Sequence, residues 1–460
     1  MDRRHHRSDL RPAAPVDPSR YEKIASSHSA QPDDLAARFA AASRQARLAT
    51  VARSAHQAAI RDVAAGIAAP ALIGCVLWML REAQARKLRR LRFLSRDGQV
   101  LFELARHLAP KLRIDIDLEY VYSSRLTWSL AATDPGNLSS AQWLFNSFMK
   151  SNVTDVCARL GLAVEDYRPE LAAAGVSLDP EHRADQAGQL EALHRFVESR
   201  DVSAAVAERV AAMRSLLADY AAEHALAEPD TGLVDAGWTG RMIGSLVSVC
   251  EARGMSRPHV LLWGHEPRAT GWTDPERVAA YMYDTSRRKG LDLRVPDAPF
   301  IVETFCMGDH GIVSGYQRTQ AGRIEPVLRS ETNSAAAAWG LELYRSALYA
   351  FCDALDGDLD GDVRPLVYEA MDAFWCHPTR EEAEAWGSYP YDSDPAGTAA
   401  RRLARAFNPD TARKPEGNVG PARGDRAWLA GSLTLSTPAV RAEFAATELG
   451  PDWNGAPATD

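Results

Sequence analysis

Three short apolar runs, each closed by a polar loop, constrain this chain more than any other feature. Leu91 to Leu94 ends in Ser95-Arg96-Asp97-Gly98, and Leu118 to Tyr122 ends in Ser123-Ser124-Arg125. Gly232 to Asp235 runs into Ala236-Gly237-Trp238-Thr239-Gly240-Arg241. Amphipathic stretches follow the first and third, at Val100 to Leu108 and Arg241 to Arg253, and further apolar runs lie at His259 to Trp263 and Val278 to Tyr283. Strands alternating with helices predict an α/β fold, a mostly parallel sheet with helices on both faces. Ligands of such sheets bind beyond the carboxyl ends of the strands. Three loops there that carry Arg, Asp, Ser and Gly predict one composite site for an anionic ligand.

The rest of the chain is read around that core. Residues 1–31, rich in Arg, His, Ser, Pro and Asp, lack the apolar content to offset ordering entropy and are expected to be a disordered tail. Residues 32–138 hold Ala-rich helices, interrupted near Pro70, and the first part of the core. Residues 139–225 read as a helical insertion anchored by Trp143, Leu144, Phe145 and Phe148. Residues 226–330 complete the core, and 331–460 read as a helical C-terminal region with a Gly/Pro/Arg-rich break at 413–425. The uncharged stretch Val63 to Leu80 is long enough to raise a membrane question. It contains Pro70 and Gly74 and continues into Arg81-Glu82, which favours a buried core helix over a membrane span.

Charge and cysteine content exclude several functions. A net charge of −8 leaves no basic field for a nucleic-acid backbone, so phosphate recognition has to be local. The six cysteines form no C-x-x-C pair, which argues against zinc and against a secreted disulfide framework and implies the cytoplasm.

The third loop has the chemistry of a phosphosugar site. Asp235 at a strand end can accept hydrogen bonds from sugar hydroxyls, and Gly237 and Gly240 allow tight turns and a close approach of the backbone. Thr239 offers a hydroxyl beside a helix N-terminus, and Arg241 offers a forked cation. The plainer alternative is a strand–turn–helix corner with Asp235 as a cap and Trp238 as core. Downstream, Ile301 to Tyr316 places Gly308 and Gly311 around Asp309-His310, a second loop that can face a ligand. The stretch Asp356 to Asp362 imitates a calcium loop, but Arg364 and Val367 occupy positions that need oxygen ligands, so an acidic turn is expected.

The "VDAGWTG" of Val234 to Gly240 resembles the loop that binds phosphoribosyl pyrophosphate (PRPP) in type I phosphoribosyltransferases, and "FLSRDG" sits where those enzymes carry the pyrophosphate loop. The longer stretch from Ala69 to Ala105, with "YVYSSR" after it, is similar to the phosphoribosyltransferase modules of bacterial ribofuranosylation and to aminoglycoside phosphoribosyltransferases. The resemblance covers Ala69 to Tyr316. It implies a phosphoribosyltransferase-like fold and transfer of 5-phosphoribose from PRPP to a hydroxyl of a sugar or aminocyclitol acceptor. Pyrophosphate would be released in polysaccharide or specialised-metabolite (antibiotic) biosynthesis, and a separate phosphatase would act downstream. It further implies that Asp235 holds the ribose hydroxyls, while Gly237, Thr239, Gly240 and Arg241 hold the 5-phosphate. Ser95, Arg96, Asp97 and Gly98 would hold pyrophosphate, with Mg²⁺ on Asp97, and Ser124 and Arg125 would complete the donor site. Asp97, Asp235, Glu303 and His310 are its implied catalytic set, and the base for the acceptor hydroxyl would come from Asp97, Glu303, Asp309 or His310. One departure stands out: the family has two adjacent acids where Asp235 is followed here by Ala236.

Two alternatives accompany this reading. "FLSRDGQVL" imitates the first motif of haloacid-dehalogenase-type phosphatases, but Ser95 occupies the slot of the nucleophilic Asp, so an aspartyl-phosphate cannot form there. A degenerate fold that serves as a binding or scaffold protein is the other, supported by the missing second acid.

Overall fold

The computed structural model describes residues 17–145, 152–180, 182–267, 274–286, 297–391, 401–407 and 427–447. The expected Phe148 anchor, the 413–425 break and the first 16 residues of the expected tail lie outside them. The centre is a five-stranded, all-parallel sheet in the order β2-β1-β3-β4-β5. Its strands are β1 (Arg90–Leu94), β2 (Asp117–Val121), β3 (Thr231–Asp235), β4 (His259–His265) and β5 (Val278–Asp284), each within two residues of the sequence reading.

Alternation along the strands explains why both faces are covered. Leu91, Phe93, Val234, Leu261, Trp263 and Tyr281 join one core with the helices Ala55–Ala85, Gly98–Leu112 and Leu341–Ala354. Their neighbours Leu94, Leu233, Val260 and Leu262 point the other way, into a core with the helices Arg125–Ala132, Arg200–Glu223 and Arg241–Glu251. Burying each such side chain contributes about 1.5–3 kcal/mol, so register is held on both faces at once. A third core, centred on Leu144, Val156, Leu160, Leu193 and Phe196, belongs to the helical insertion.

Several expectations need correction. The disordered tail does not reach residue 31: Arg20–Ser27 is a helix with a Ser19/Glu22 capping box, and Tyr21 packs on Gly66 where any Cβ would lie 2.6 Å from the tyrosine. Pro70 does not interrupt its helix. Ala55–Ala85 is continuous, because a π-helical turn at Ala64–Ala68 widens the backbone just before the proline. This helix is long and apolar enough to cross a membrane, and here it is packed inside the protein. Residues 226–330 also contain an unforeseen antiparallel hairpin, β6 (Val313–Arg318) with β7 (Ile324–Leu328). The C-terminal region is not purely helical, since Pro390–Tyr391 pairs with Arg401–Arg402. The acidic turn near Asp356 is tied down by arginines, Arg81 to Asp360 at 2.8 Å and Arg38 to Asp356 at 3.7 Å.

Candidate functional site

The strand order places a crevice at the carboxyl end of β1. The chain leaves β1 for β2 on one side, and β3 flanks the other, so the loops after β1 and β3 border a topological switch point, the usual ligand position in open parallel sheets. Glycines make both loops fit. A Cβ on Gly98 would stand 2.7 Å from the Phe93 carbonyl carbon, so the helix Gly98–Leu112 can start this close to its strand only with glycine. Gly237 has φ +147°, and a Cβ there would meet the Gly264 carbonyl oxygen at 2.4 Å. Each loop contains a cis peptide bond, Ser95–Arg96 and Gly237–Trp238. Neither the helix that starts at Gly98 nor the one that starts at Arg241 receives a side-chain cap among the described residues, although in the first the Gln99 N–H donates to the Arg96 carbonyl at 3.0 Å. The helix Arg125–Ala132 is capped, with the Ser124 hydroxyl accepting from Thr127 N–H at 3.1 Å.

Three carboxylates lie within electrostatic reach of one another at this end of the sheet. Asp235 is buried at the end of β3, where burial raises its pKa to about 7. The Ala236 N–H, donated to Asp235 Oδ1 at 2.9 Å, and the Arg125 charge pull it down, while Glu303 pushes it up. Asp97, partly accessible, is driven well above the ordinary carboxylate range by desolvation and by the charges of Glu303 and Asp235, with Arg96 and Arg125 opposing. Glu303 comes from the helix Ala298–Phe305 and is held at both oxygens. Trp238 Nε1–H donates to Oε1 at 3.1 Å and the Tyr391 hydroxyl to Oε2 at 2.8 Å. Neighbouring acidic charges that raise the pKa values of Asp97 and Asp235 are a common mark of a functional site.

Cations surround the acids. Arg125 is exposed, makes no hydrogen bond or ion pair among the described residues, and acts electrostatically on both Asp97 and Asp235. Arg96 lies along Gly308, whose Cβ position is 3.1 Å from the Arg96 Cβ, and its charge reaches Asp97 and His310. Arg241 sits exposed at the start of its helix, its Nε 3.4 Å from the Thr239 hydroxyl. Gly240, at φ +71°, makes the turn into that helix.

Other expected site residues are committed within the protein. Ser95 and Ser123 lock the ends of β1 and β2 together through side-chain and backbone bonds. Ser124, besides its cap, donates to the Val313 carbonyl at 2.7 Å. His310 is buried, with Nδ1 2.6 Å from the Gly311 carbonyl oxygen and Nε2 2.7 Å from the Tyr120 hydroxyl. A carbonyl only accepts, so Nδ1 carries the proton and Nε2 accepts from Tyr120. Desolvation lowers the His310 pKa and keeps it neutral. Asp309 is fixed by Gln99 at 2.7 Å and Arg345 at 3.0 Å, and these contacts outweigh its desolvation to hold its pKa low. Sequence reasoning missed Tyr391, Tyr120 and the contact from Trp238 to Glu303. A tryptophan inside a glycine-bearing loop, stacked here on Tyr283 at 13°, was the one available signal.

The chain matches no known protein family, and no curated protein matches it.

Proposed function

We propose that this protein is a PRPP-dependent 5-phosphoribosyltransferase with a phosphoribosyltransferase-like fold, acting on a hydroxyl of a sugar or aminocyclitol. One observation carries the reading: two helices without side-chain caps start from the loops that hold Asp97 and Asp235, and the Arg125 charge reaches both acids. A phosphorylated sugar asks for that pairing, with N–H dipoles and arginine for phosphate and a carboxylate for hydroxyls.

In this reading Asp235 accepts hydrogen bonds from the ribose hydroxyls. The Arg241 helix N-terminus, with Thr239, binds the 5-phosphate. The Gly98 helix N-terminus, with Arg96 and Arg125, binds pyrophosphate and stabilises its charge as the C1–O bond breaks. Among the described residues no group of three or more metal-ligand side chains forms an all-protein cage. Mg²⁺ is commonly held by one or two carboxylates plus substrate phosphates, which Asp97 and Asp235 fit. When bound, it would offset the charge of the leaving pyrophosphate. His310, Asp309 and Glu303 are engaged by protein contacts and Asp97 would be taken up by Mg²⁺, so the acceptor's proton is assigned to none of the four. The phosphatase reading is disfavoured, because the slot of its nucleophile holds Ser95 with its hydroxyl already engaged.

Calorimetry of PRPP binding, with and without Mg²⁺, tests the proposal. Mg²⁺-dependent binding that disappears in Asp235→Asn is the expected result. Absence of binding to the wild-type protein removes the donor assignment and favours the scaffold alternative.

A further inference from the structure

The acid cluster draws on a part of the chain that the three strand-end loops do not include. Glu303 has one donor on each oxygen, and the two donors come from distant segments. Trp238 belongs to the loop after β3, where it stacks on Tyr283 and meets Trp263 edge-on. Tyr391 belongs to the short C-terminal strand pair, where it lies opposite Arg401, and its ring packs on Phe300 of the Glu303 helix at 5.8 Å. Two donors on opposite oxygens fix the carboxylate plane, which a single donor would leave free to turn. The rings behind both donors are themselves packed, so the grip is stiff. Tyr391 also lies within electrostatic reach of Asp97 and Arg125.

We infer that Tyr391 and Trp238 are positioning residues that grip Glu303 from opposite sides and set its orientation toward Asp97 and Asp235, making the C-terminal region a working part of the site. Neither residue is required to touch the substrate. Losing one donor lets Glu303 rotate, which misplaces its charge relative to the two aspartates. The kinetic consequence rests on the phosphoribosyltransferase reading, whereas the structural grip does not.

The test uses the full-length chain and two readouts. The first is the indole N–H resonance of Trp238 in a ¹H–¹⁵N spectrum, assigned by its loss in Trp238→Phe. Tyr391→Phe keeps the ring and removes only the hydroxyl, and it should move that resonance although Trp238 is untouched. The second is the steady-state rate of pyrophosphate release from PRPP, with water as the acceptor of the phosphoribosyl group. Tyr391→Phe should lower kcat about tenfold, the size of one weakened charge-assisted hydrogen bond, with the KM for PRPP within about twofold. If Tyr391→Phe does not fold, Trp238→Phe is read by kinetics in its place, with the same kcat-selective loss expected. An unmoved indole resonance together with unchanged kcat overturns the inference. A moved resonance in a protein that does not bind PRPP keeps the grip and overturns only the function.

Discussion

The Ser95 hydroxyl bridges two strand ends, donating to the Ser123 carbonyl at 2.6 Å and accepting from the Ser123 N–H at 2.7 Å. With the Ser123 hydroxyl returning a bond to the Ser95 carbonyl at 3.1 Å, the loops after β1 and β2 become one unit. Ser95→Ala should therefore act on stability, costing about 1–3 kcal/mol for the buried groups left unpaired. Denaturant melts measure it. A Ser95→Ala protein of unchanged stability and much weaker PRPP binding would show instead that the hydroxyl faces the ligand.

Arg125→Ala should behave in the opposite way. The side chain is exposed and forms no ion pair among the described residues, so its removal leaves the melting temperature nearly unchanged. A lost charge-assisted contact should raise the Kd for PRPP about ten- to hundredfold. Calorimetry and a thermal melt on one preparation separate the two effects.

Asp235 makes stability depend on pH. Its folded pKa, about 7, lies above the value of roughly 3.9 expected in the unfolded chain. The contribution is thus fully present below about pH 3.9 and is lost as pH rises through about 7. Asp235→Asn does not titrate. In the absence of ligand and divalent metal, the variant should gain stability relative to wild type between pH 4 and pH 8. Melts at both ends of that window check the sign, and an advantage that shrinks toward pH 8 contradicts the burial argument.

Tyr120→Phe should expose the cost of a buried neutral histidine. It leaves His310 Nε2 without its donor, a loss of about 1–3 kcal/mol near pH 7. Desolvation holds the His310 pKa below its ordinary value. That contribution is therefore present above about pH 6.5 and is lost as pH falls through the lowered folded value. With water or a proton able to take the place of the tyrosine hydroxyl, the difference between variant and wild type should narrow in acid. Chemical denaturation at pH 5 and pH 7.5 distinguishes this from a packing defect, which would be equal at both.

Gly237→Ala should disturb the loop itself, because its backbone conformation and the 2.4 Å approach to the Gly264 carbonyl both oppose a side chain. A destabilisation above about 1 kcal/mol is expected, with PRPP binding weakened even where the protein remains folded.

Local patterns carried much of this into the sequence, and their limits are physical. The strands and the loops after them were legible because apolar runs ending in Gly, Asp and Arg have few other uses. Asp97, Asp235 and Glu303 could be named singly, but their meeting depends on β1 lying between β2 and β3, which no short-range pattern encodes. Tyr391 sits in a two-residue strand with no periodicity to mark it. His310 looked like a base because its neighbours are glycines, while its partner Tyr120 lies on a strand 190 positions away. The helix Arg20–Ser27 was hidden by a polar composition whose one buried aromatic, Tyr21, supplies the anchoring contact.

The grip on Glu303 has a consequence for biosynthesis. Asp97 and Tyr391 are separated by about 300 residues of chain. At roughly 5–20 residues per second, a ribosome that has delivered the first needs on the order of 15–60 s to deliver the second. Over that interval the growing chain holds carboxylates that have no finished crevice to occupy. The acid cluster is therefore among the last features to be assembled, and a chain cut short before Tyr391 would keep most of its sheet while leaving Glu303 held from one side only.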